Sequence, residues 1–167
     1  MERAGATTLR GQPFTLVGPE LKPGDDAPEF TALDSSLKTV HLADTAGRSR
    51  IFSVVPSLDT PVCDAQTKRL NEAAAQLPGI DIYSVSMDLP FAQKRFCNSF
   101  ALDNVKMLSD HREGSFGQAY GTLIKELRIL SRAIFVVGPD DKVKYVEYVP
   151  EVGDFPNFDA ALEAAKS

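Results

Sequence analysis

The chain has 167 residues, of which 43% are hydrophobic and 25% are charged, and its formal net charge is −5. This size and composition predict one globular domain, residues 1–167, that can bury a hydrophobic core. The negative charge gives no attraction to nucleic acid or to an anionic membrane, so we expect neither as a partner. No apolar run has the length of a transmembrane helix, and the first residues lack the apolar core of a signal peptide. A cytoplasmic protein is therefore expected.

Short runs of strand type alternate with helical runs along the chain. An N-terminal β-hairpin is predicted at residues 7–16, where Gly11-Gln12-Pro13 interrupts the strand pattern. The other predicted strands, rich in β-branched or alternating apolar residues, are Leu37–Leu42, Arg50–Val55, Ile80–Met87, Val105–Leu108, Arg132–Val137 and Lys142–Tyr148. The last two flank Gly138-Pro139-Asp140-Asp141, a strong turn signal that predicts a second hairpin.

Four helices are predicted, and they fall between and after these strands. They cover Pro61 to about Leu77, Pro90–Ala101, Ser115–Tyr120 and Pro156–Lys166. The apolar stripes predicted to face the core are Val62, Ala65, Leu70, Ala73 and Leu77 on the first helix and Ala92, Phe96 and Phe100 on the second. The order of elements predicts an α/β protein with a mixed central β-sheet flanked by helices and preceded by an N-terminal β-hairpin, which is a thioredoxin-like fold.

The most informative local pattern surrounds Cys63, in the string Pro56-Ser57-Leu58-Asp59-Thr60-Pro61-Val62-Cys63. Pro61 suits a first helical position, and Thr60 before it is a candidate N-cap whose hydroxyl accepts a first-turn N–H. Cys63 is then the third helical residue, where free N–H groups and the helix dipole favour an anion. A thiolate there would be a nucleophile, whereas the alternative is a small buried apolar residue.

The chain has only two cysteines, Cys63 and Cys97. They form no C-x-x-C motif, and together with His41 and His111 they do not match a zinc-binding spacing, so no metal site is predicted. In a reducing compartment a disulfide between the two cysteines would be transient and catalytic.

Separate segments of the chain resemble one family. The string from Pro56 to Cys63 resembles the active-site signature of peroxiredoxins, and in its full length that of the bacterial thiol peroxidases, the atypical two-cysteine subfamily. The segment Asp88-Leu89-Pro90-Phe91-Ala92-Gln93-Lys94-Arg95-Phe96-Cys97 is similar to the one that carries the subfamily's resolving cysteine. Ser131–Val137 resembles the strand that carries its active-site arginine. The resemblance runs from about Gly11 to the C-terminus.

This resemblance implies a thioredoxin-dependent peroxidase that uses neither a metal nor an organic cofactor. Cys63 would be the peroxidatic cysteine that attacks a hydrogen peroxide or organic hydroperoxide molecule. Thr60 and Arg132 would bind the thiolate and the peroxide, and Pro56 would shield the pocket from water. Cys97 would be the resolving cysteine that forms a disulfide with Cys63. Thioredoxin would reduce that disulfide, and the family usually forms homodimers.

The residues alone leave three other functions open. A thiol–disulfide oxidoreductase would share the fold, although the absence of C-x-x-C argues against it. A cysteine hydrolase or acyltransferase would need a histidine base near Cys63, which only His41 or His111 can supply. A regulatory protein would sense peroxide without turning it over.

The two cysteines lie on separate predicted helices. A disulfide requires Cα atoms within about 7 Å of each other. We therefore expect the reduced protein to hold Cys63 and Cys97 too far apart to bond. The first turn around Cys63 and the helix around Cys97 would then have to unwind locally after oxidation.

Overall fold

The computed structural model describes residues 1–167 and contains eleven β-strands, four α-helices and one 3-10 helix. The strands are β1 (Glu2–Leu9), β2 (Gln12–Val17), β3 (Thr31–Leu33), β4 (Thr39–His41), β5 (Ser49–Val54), β6 (Ile80–Ser86), β7 (Val105–Ser109), β8 (Leu123–Ile124), β9 (Ile129–Leu130), β10 (Ala133–Val137) and β11 (Val143–Tyr148). The helices are α1 (Pro61–Ala75), α2 (Pro90–Phe100), α3 (Ser115–Ala119), α4 (Phe158–Lys166) and the 3-10 helix Leu42–Thr45.

The central sheet has seven strands in the order β11-β10-β5-β6-β7-β3-β4. Strands β5, β6 and β7 are parallel, because α1 and α2 carry the chain back between them. The remaining neighbours pair antiparallel. The predicted class, an α/β protein with a mixed sheet of thioredoxin-like type, is confirmed.

Helices cover both faces of this sheet, and β5 shows why. Its side chains alternate, so Ile51 faces α1 and α4 and packs with Leu70 and Ala161. Phe52 faces the other side, where it packs with Phe116 of α3. The loop that follows β5 therefore begins between the two hydrophobic clusters that cover the two faces of the sheet. None of the helices combines the length and the apolar character needed to cross a membrane.

The N-terminal hairpin is confirmed and is longer than predicted, since it is formed by β1 and β2. Arg10 (φ 53°) and Gly11 (φ 79°) form its turn, and two consecutive positive φ angles match the twist of the flanking strands. A second, four-stranded sheet has the order β1-β2-β8-β9. Strands β3, β8 and β9 were not predicted, because two or three residues are too few to show a periodicity.

Both predicted helix stripes need correction. On α1, Ala65 is exposed, whereas the polar Gln66 and Thr67 are buried because they find hydrogen-bond partners inside the protein. On α2, Phe100 is 45% exposed instead of facing the core, and only Pro90 and Gln93 are buried. The helix bearing Cys97 is thus held to the sheet mainly at its first turn.

Candidate active site

The loop after β5 leads directly into α1 and places Cys63 as predicted. Thr60 is the N-cap in an extended conformation, Pro61 is the first helical residue and Cys63 is the third. The Cys63 side chain is fully buried. Its backbone carbonyl accepts a hydrogen bond from Thr67 Oγ1 at 2.9 Å, which adds support to the first turn.

The predicted capping hydrogen bond of Thr60 is absent. The Thr60 hydroxyl instead donates to the carbonyl oxygen of Ser57 at 3.0 Å, because the loop folds back on itself before the helix. The N–H groups of Val62 and Cys63 have no acceptor within the protein. The beginning of α1 therefore presents unpaired donors next to the Cys63 thiol.

Arg132 brings a positive charge to the sulfur of Cys63. It lies one residue before β10, not inside the strand as predicted, and it is 2% exposed. Its Nη2 donates to Cys63 Sγ at 3.1 Å and its Nε to the carbonyl of Val152 at 2.7 Å. Arg132 forms no ion pair with a carboxylate, and its guanidinium charge faces the sulfur of Cys63.

Gln66 accepts a third hydrogen bond from the Arg132 guanidinium. The sequence did not lead us to predict it as a site residue. Its Oε1 accepts from Arg132 Nη1 at 2.8 Å, and its Nε2 donates to Ser53 Oγ at 2.6 Å. A glutamine three residues after Cys63 lies on the same helix face, which is the signal that could have revealed it.

Replacing Gln66 by leucine is expected to destabilise the fold. The change leaves buried polar atoms of Arg132 and Ser53 without a partner, which costs about 2–3 kcal/mol in the free energy of unfolding. Urea unfolding followed by circular dichroism measures this loss. Gln76→Leu is the matched control, since Gln76 is exposed at the end of the same helix and should change little. Equal stabilities of the two variants would contradict the expectation.

Pro56, Thr60 and Arg132, predicted to share one site, line a single cavity of about 570 Å³. Pro56 is buried and Thr60 is exposed. The apolar part of the wall consists of Leu9, Phe14, Pro56, Pro61, Val62, Ile129 and Val152. The N-terminal hairpin and the second sheet therefore build one side of the cavity, and the loop before α1 builds the other.

Cys97 lies on α2 and is half-buried, and neither cysteine is in a disulfide. Phe96 and Cys97 pack against the small apolar cluster that contains Cys63 and Met107. Cys97 lines a different cavity, of about 730 Å³, on the side of Asp103 and Lys106. Burial, and secondly the negative charge of Asp103, raises the pKa of the Cys97 thiol above its usual value.

Neither histidine lies in position to serve Cys63. His41 is on β4, an edge strand separated from β5 by three others, where it faces Thr31 and Glu29. His111 follows β7 and makes no hydrogen bond with Cys63, whose sulfur is bonded by Arg132. A cysteine hydrolase at Cys63 would therefore lack its base. No group of three His, Cys, Asp or Glu side chains is arranged to hold a metal ion.

A thioredoxin-like fold that holds a buried thiol against an arginine, with a second free thiol on the next helix, defines a thiol-based redox protein. Comparison with known proteins narrows that class. The model of the Redoxin family matches residues 22–162. The thiol peroxidases of Halalkalibacterium halodurans and Bacillus subtilis are 54% and 53% identical to this chain, each over 96% of both sequences.

A solved structure agrees with these sequences. The crystal structure of a peroxiredoxin-like protein from Aquifex aeolicus superposes with a TM-score of 0.90 and 44% identity, covering 98% of this chain and 96% of that one. The chain therefore belongs to the Redoxin family, and within it to the thiol peroxidases. The enzyme class expected from the sequence is confirmed.

Proposed function

We propose that residues 1–167 act as one domain that reduces hydrogen peroxide and organic hydroperoxides through Cys63 and Cys97. The observation that carries the proposal is the 3.1 Å hydrogen bond to Cys63 Sγ from Nη2 of Arg132, a residue that lines the open cavity. A cavity of about 570 Å³ is many times the volume of about 30 Å³ that one water molecule occupies in the liquid. It has room for the organic substituent of a hydroperoxide.

The first step is attack of the Cys63 thiolate on the terminal oxygen of the hydroperoxide. An S–O bond forms and the O–O bond breaks, so the sulfur is oxidised to a sulfenic acid and the peroxide is reduced to an alcohol or water after the leaving oxygen takes up a proton. Negative charge grows on that oxygen. Arg132 and the free N–H groups of the first turn are the donors that would stabilise it, the Thr60 hydroxyl could join them by leaving the Ser57 carbonyl, and Pro56 closes the cavity on one side.

Cys97 does not compete for the peroxide in this scheme. Its raised pKa keeps its side chain as the thiol at neutral pH, and the thiol is the unreactive form. In the second step, the small fraction of Cys97 that is thiolate attacks the sulfenic acid sulfur of Cys63. An S–S bond forms and the sulfenic oxygen leaves as water.

Three further features of the reaction are proposals that rest on the family. Thioredoxin, a dithiol reductant, restores both thiols by taking over the disulfide in exchange. The enzyme works in the cytoplasm, where such reductants keep thiols reduced. It assembles as a homodimer.

The direct test treats the reduced protein with one equivalent of peroxide and maps the product by mass spectrometry. A Cys63–Cys97 link within one chain, together with steady-state peroxide consumption in the presence of thioredoxin, is expected. An intermolecular link or a lasting sulfenic acid would overturn the role of Cys97. Single-event oxidation without turnover would favour a sensor, and efficient insulin reduction would favour a thiol–disulfide oxidoreductase.

The second step is expected to depend on pH. Because the pKa of Cys97 is raised, its thiolate fraction grows as the pH rises, by about tenfold per unit while the pH lies below that pKa. Disulfide formation after a peroxide pulse should therefore accelerate from pH 6 to 9. Stopped-flow fluorescence or quenched mass spectrometry measures the rate.

Asp103→Asn provides the control for this pH dependence. It removes the second cause of the raised pKa, so the profile should move to lower pH. A rate that does not change between pH 6 and 9 would contradict the assignment of Cys97 as the attacking group.

A further inference from the structure

Asp88 lies between the end of β6 and the beginning of α2, and the reaction proposed above does not use its carboxylate. Oδ1 accepts a hydrogen bond from Ser57 Oγ at 2.8 Å. Oδ2 accepts one from the backbone N–H of Leu58 at 2.8 Å and one from Ser86 Oγ at 2.8 Å. One carboxylate thus holds three donors from two separate parts of the chain.

Two of these donors belong to the catalytic loop between β5 and α1. The carbonyl of Ser57 accepts the hydroxyl of Thr60 at 3.0 Å. The Ser57 side chain also accepts the N–H of Asp59 at 3.1 Å. By holding Ser57 and Leu58, Asp88 fixes the segment that positions Thr60 and leads into the first turn of α1.

The third donor, Ser86 Oγ, connects Asp88 to Gln93, one of the residues that attach α2 to the sheet. Ser86 Oγ accepts a hydrogen bond from Gln93 Nε2 at 3.1 Å, and the same nitrogen donates to the carbonyl of Leu108 at 2.9 Å. Gln93 and Pro90 are the two buried residues of α2. The Oε1 atom of Gln93 is buried without a partner, so this polar attachment of α2 lacks one hydrogen bond.

The far end of α2 is held less firmly still. Cys97 is half-buried, Phe100 is 45% exposed, and the helix ends at Ala101 in a left-handed conformation with φ 53°. That conformation is unfavourable for a residue other than glycine. Few buried contacts and a strained end are the features of a segment that opens easily.

We propose that Ser57, Leu58, Ser86, Asp88 and Gln93 form a latch, the Asp88 latch, that couples the catalytic loop to α2. The proposal rests on the proposed function, together with the expectation from the sequence that both segments unwind before Cys63 and Cys97 can meet. The carboxylate binds the catalytic loop directly and reaches α2 through Ser86 and Gln93, so loosening of either segment weakens the hold on the other. Asp88 is therefore a positioning residue that sets the balance between the closed form, which reacts with peroxide, and the open form, which makes the disulfide.

The test replaces Asp88 by asparagine. The amide NH₂ cannot accept, so at least one of the three hydrogen bonds is lost or reversed, and the negative charge that strengthens all three is removed, which is enough to change the opening equilibrium by about tenfold. Oxidation of Cys63 by peroxide should become slower and disulfide formation faster, and in a two-state equilibrium the two fold-changes should multiply to about ten. Stopped-flow measurement of the two phases separates these opposite effects, which mere destabilisation would not produce.

Two variants serve as comparisons. Asp59→Asn removes the same charge from the same loop, but the Asp59 carboxylate is exposed and accepts no hydrogen bond, so both rates should stay at the parent values. Ser57→Ala removes one latch bond and keeps the charge, so it should shift both rates in the same directions as Asp88→Asn and by less. If Asp88→Asn does not fold, Ser57→Ala still decides the question.

Hydrogen exchange of the reduced protein tests the latch without any chemistry at Cys63. In Asp88→Asn, amides of the 57–60 loop and of α2 should exchange faster together, while those of β5 and β6 stay protected. Equal effects on both rate phases, faster exchange in only one of the two segments, or behaviour matching Asp59→Asn would each overturn the proposal. If the parent protein forms no Cys63–Cys97 disulfide but the two segments open together, the proposed function fails and the latch stands.

Discussion

Replacing Arg132 by alanine is expected to slow the reaction of Cys63 with peroxide by about 10²–10³-fold, the usual effect of removing one donor that stabilises a developing oxyanion. The guanidinium is buried and makes hydrogen bonds to Cys63 Sγ, Gln66 Oε1 and the Val152 carbonyl. Its loss removes both the charge beside the sulfur and a donor for the leaving oxygen. Stopped-flow kinetics of a single turnover measure the effect.

The Arg132→Lys variant distinguishes the effect of the positive charge from the effect of the guanidinium geometry. It keeps the positive charge but cannot reproduce the planar fork that bonds sulfur and glutamine at once, so its rate should fall between those of the parent and the alanine variant. Arg112→Ala is the matched control, because Arg112 is an exposed arginine whose ion pair is with Glu113 on the surface. An Arg132→Ala protein that folds and reacts at the parent rate would refute the assigned role.

Replacing Cys97 by serine is expected to separate the first turnover from all later ones. Oxidation of Cys63 should proceed within about twofold of the parent rate, since the Cys97 thiol lies outside the peroxide cavity. Steady-state consumption with thioredoxin should fall to about one hundredth or less, because no disulfide is available for exchange. Peroxide assays with and without thioredoxin, and a sulfenic-acid trap, measure the two steps.

In Cys63→Ser, neither oxidation of residue 63 by peroxide nor disulfide formation with Cys97 should occur. This variant also controls for unspecific oxidation of Cys97. Sustained thioredoxin-dependent turnover in Cys97→Ser at the parent rate would show that the Cys63 sulfenic acid is reduced by another route.

The sequence predicts those parts of the site that depend on local structure. Thr60-Pro61 marks the beginning of a helix by well-understood backbone preferences, and it places Cys63 correctly in the first turn. The carboxyl end of β5 was also predicted, since its apolar run belongs to a central parallel strand. Arg132 was singled out through the family resemblance, because an arginine at the beginning of a strand is by itself ordinary.

The parts of the site that were not predicted from the sequence depend on contacts between distant segments of the chain. Gln66 interrupts the apolar stripe of α1, and its buried position follows from Arg132 and Ser53, which only the folded chain brings near. Asp88 similarly meets Ser57 and Leu58 because β5 and β6 are adjacent in the sheet. The outward position of Phe100 could not be predicted either, since periodicity describes a helix face but not which neighbour covers it.

The cavity wall has two parts, and they affect two different properties of the enzyme, its reaction and its substrate range, which can change independently. Cys63, Gln66 and Arg132 belong to the region matched by the Redoxin family, residues 22–162, and in the proposed function they bind and react with the peroxide or position the groups that do. Leu9 and Phe14, which form part of the opposite wall, belong to the N-terminal hairpin outside that region. Substitutions in the hairpin would therefore alter which hydroperoxides fit while the reacting atoms stay in place, so substrate range can diverge among relatives that share one reaction.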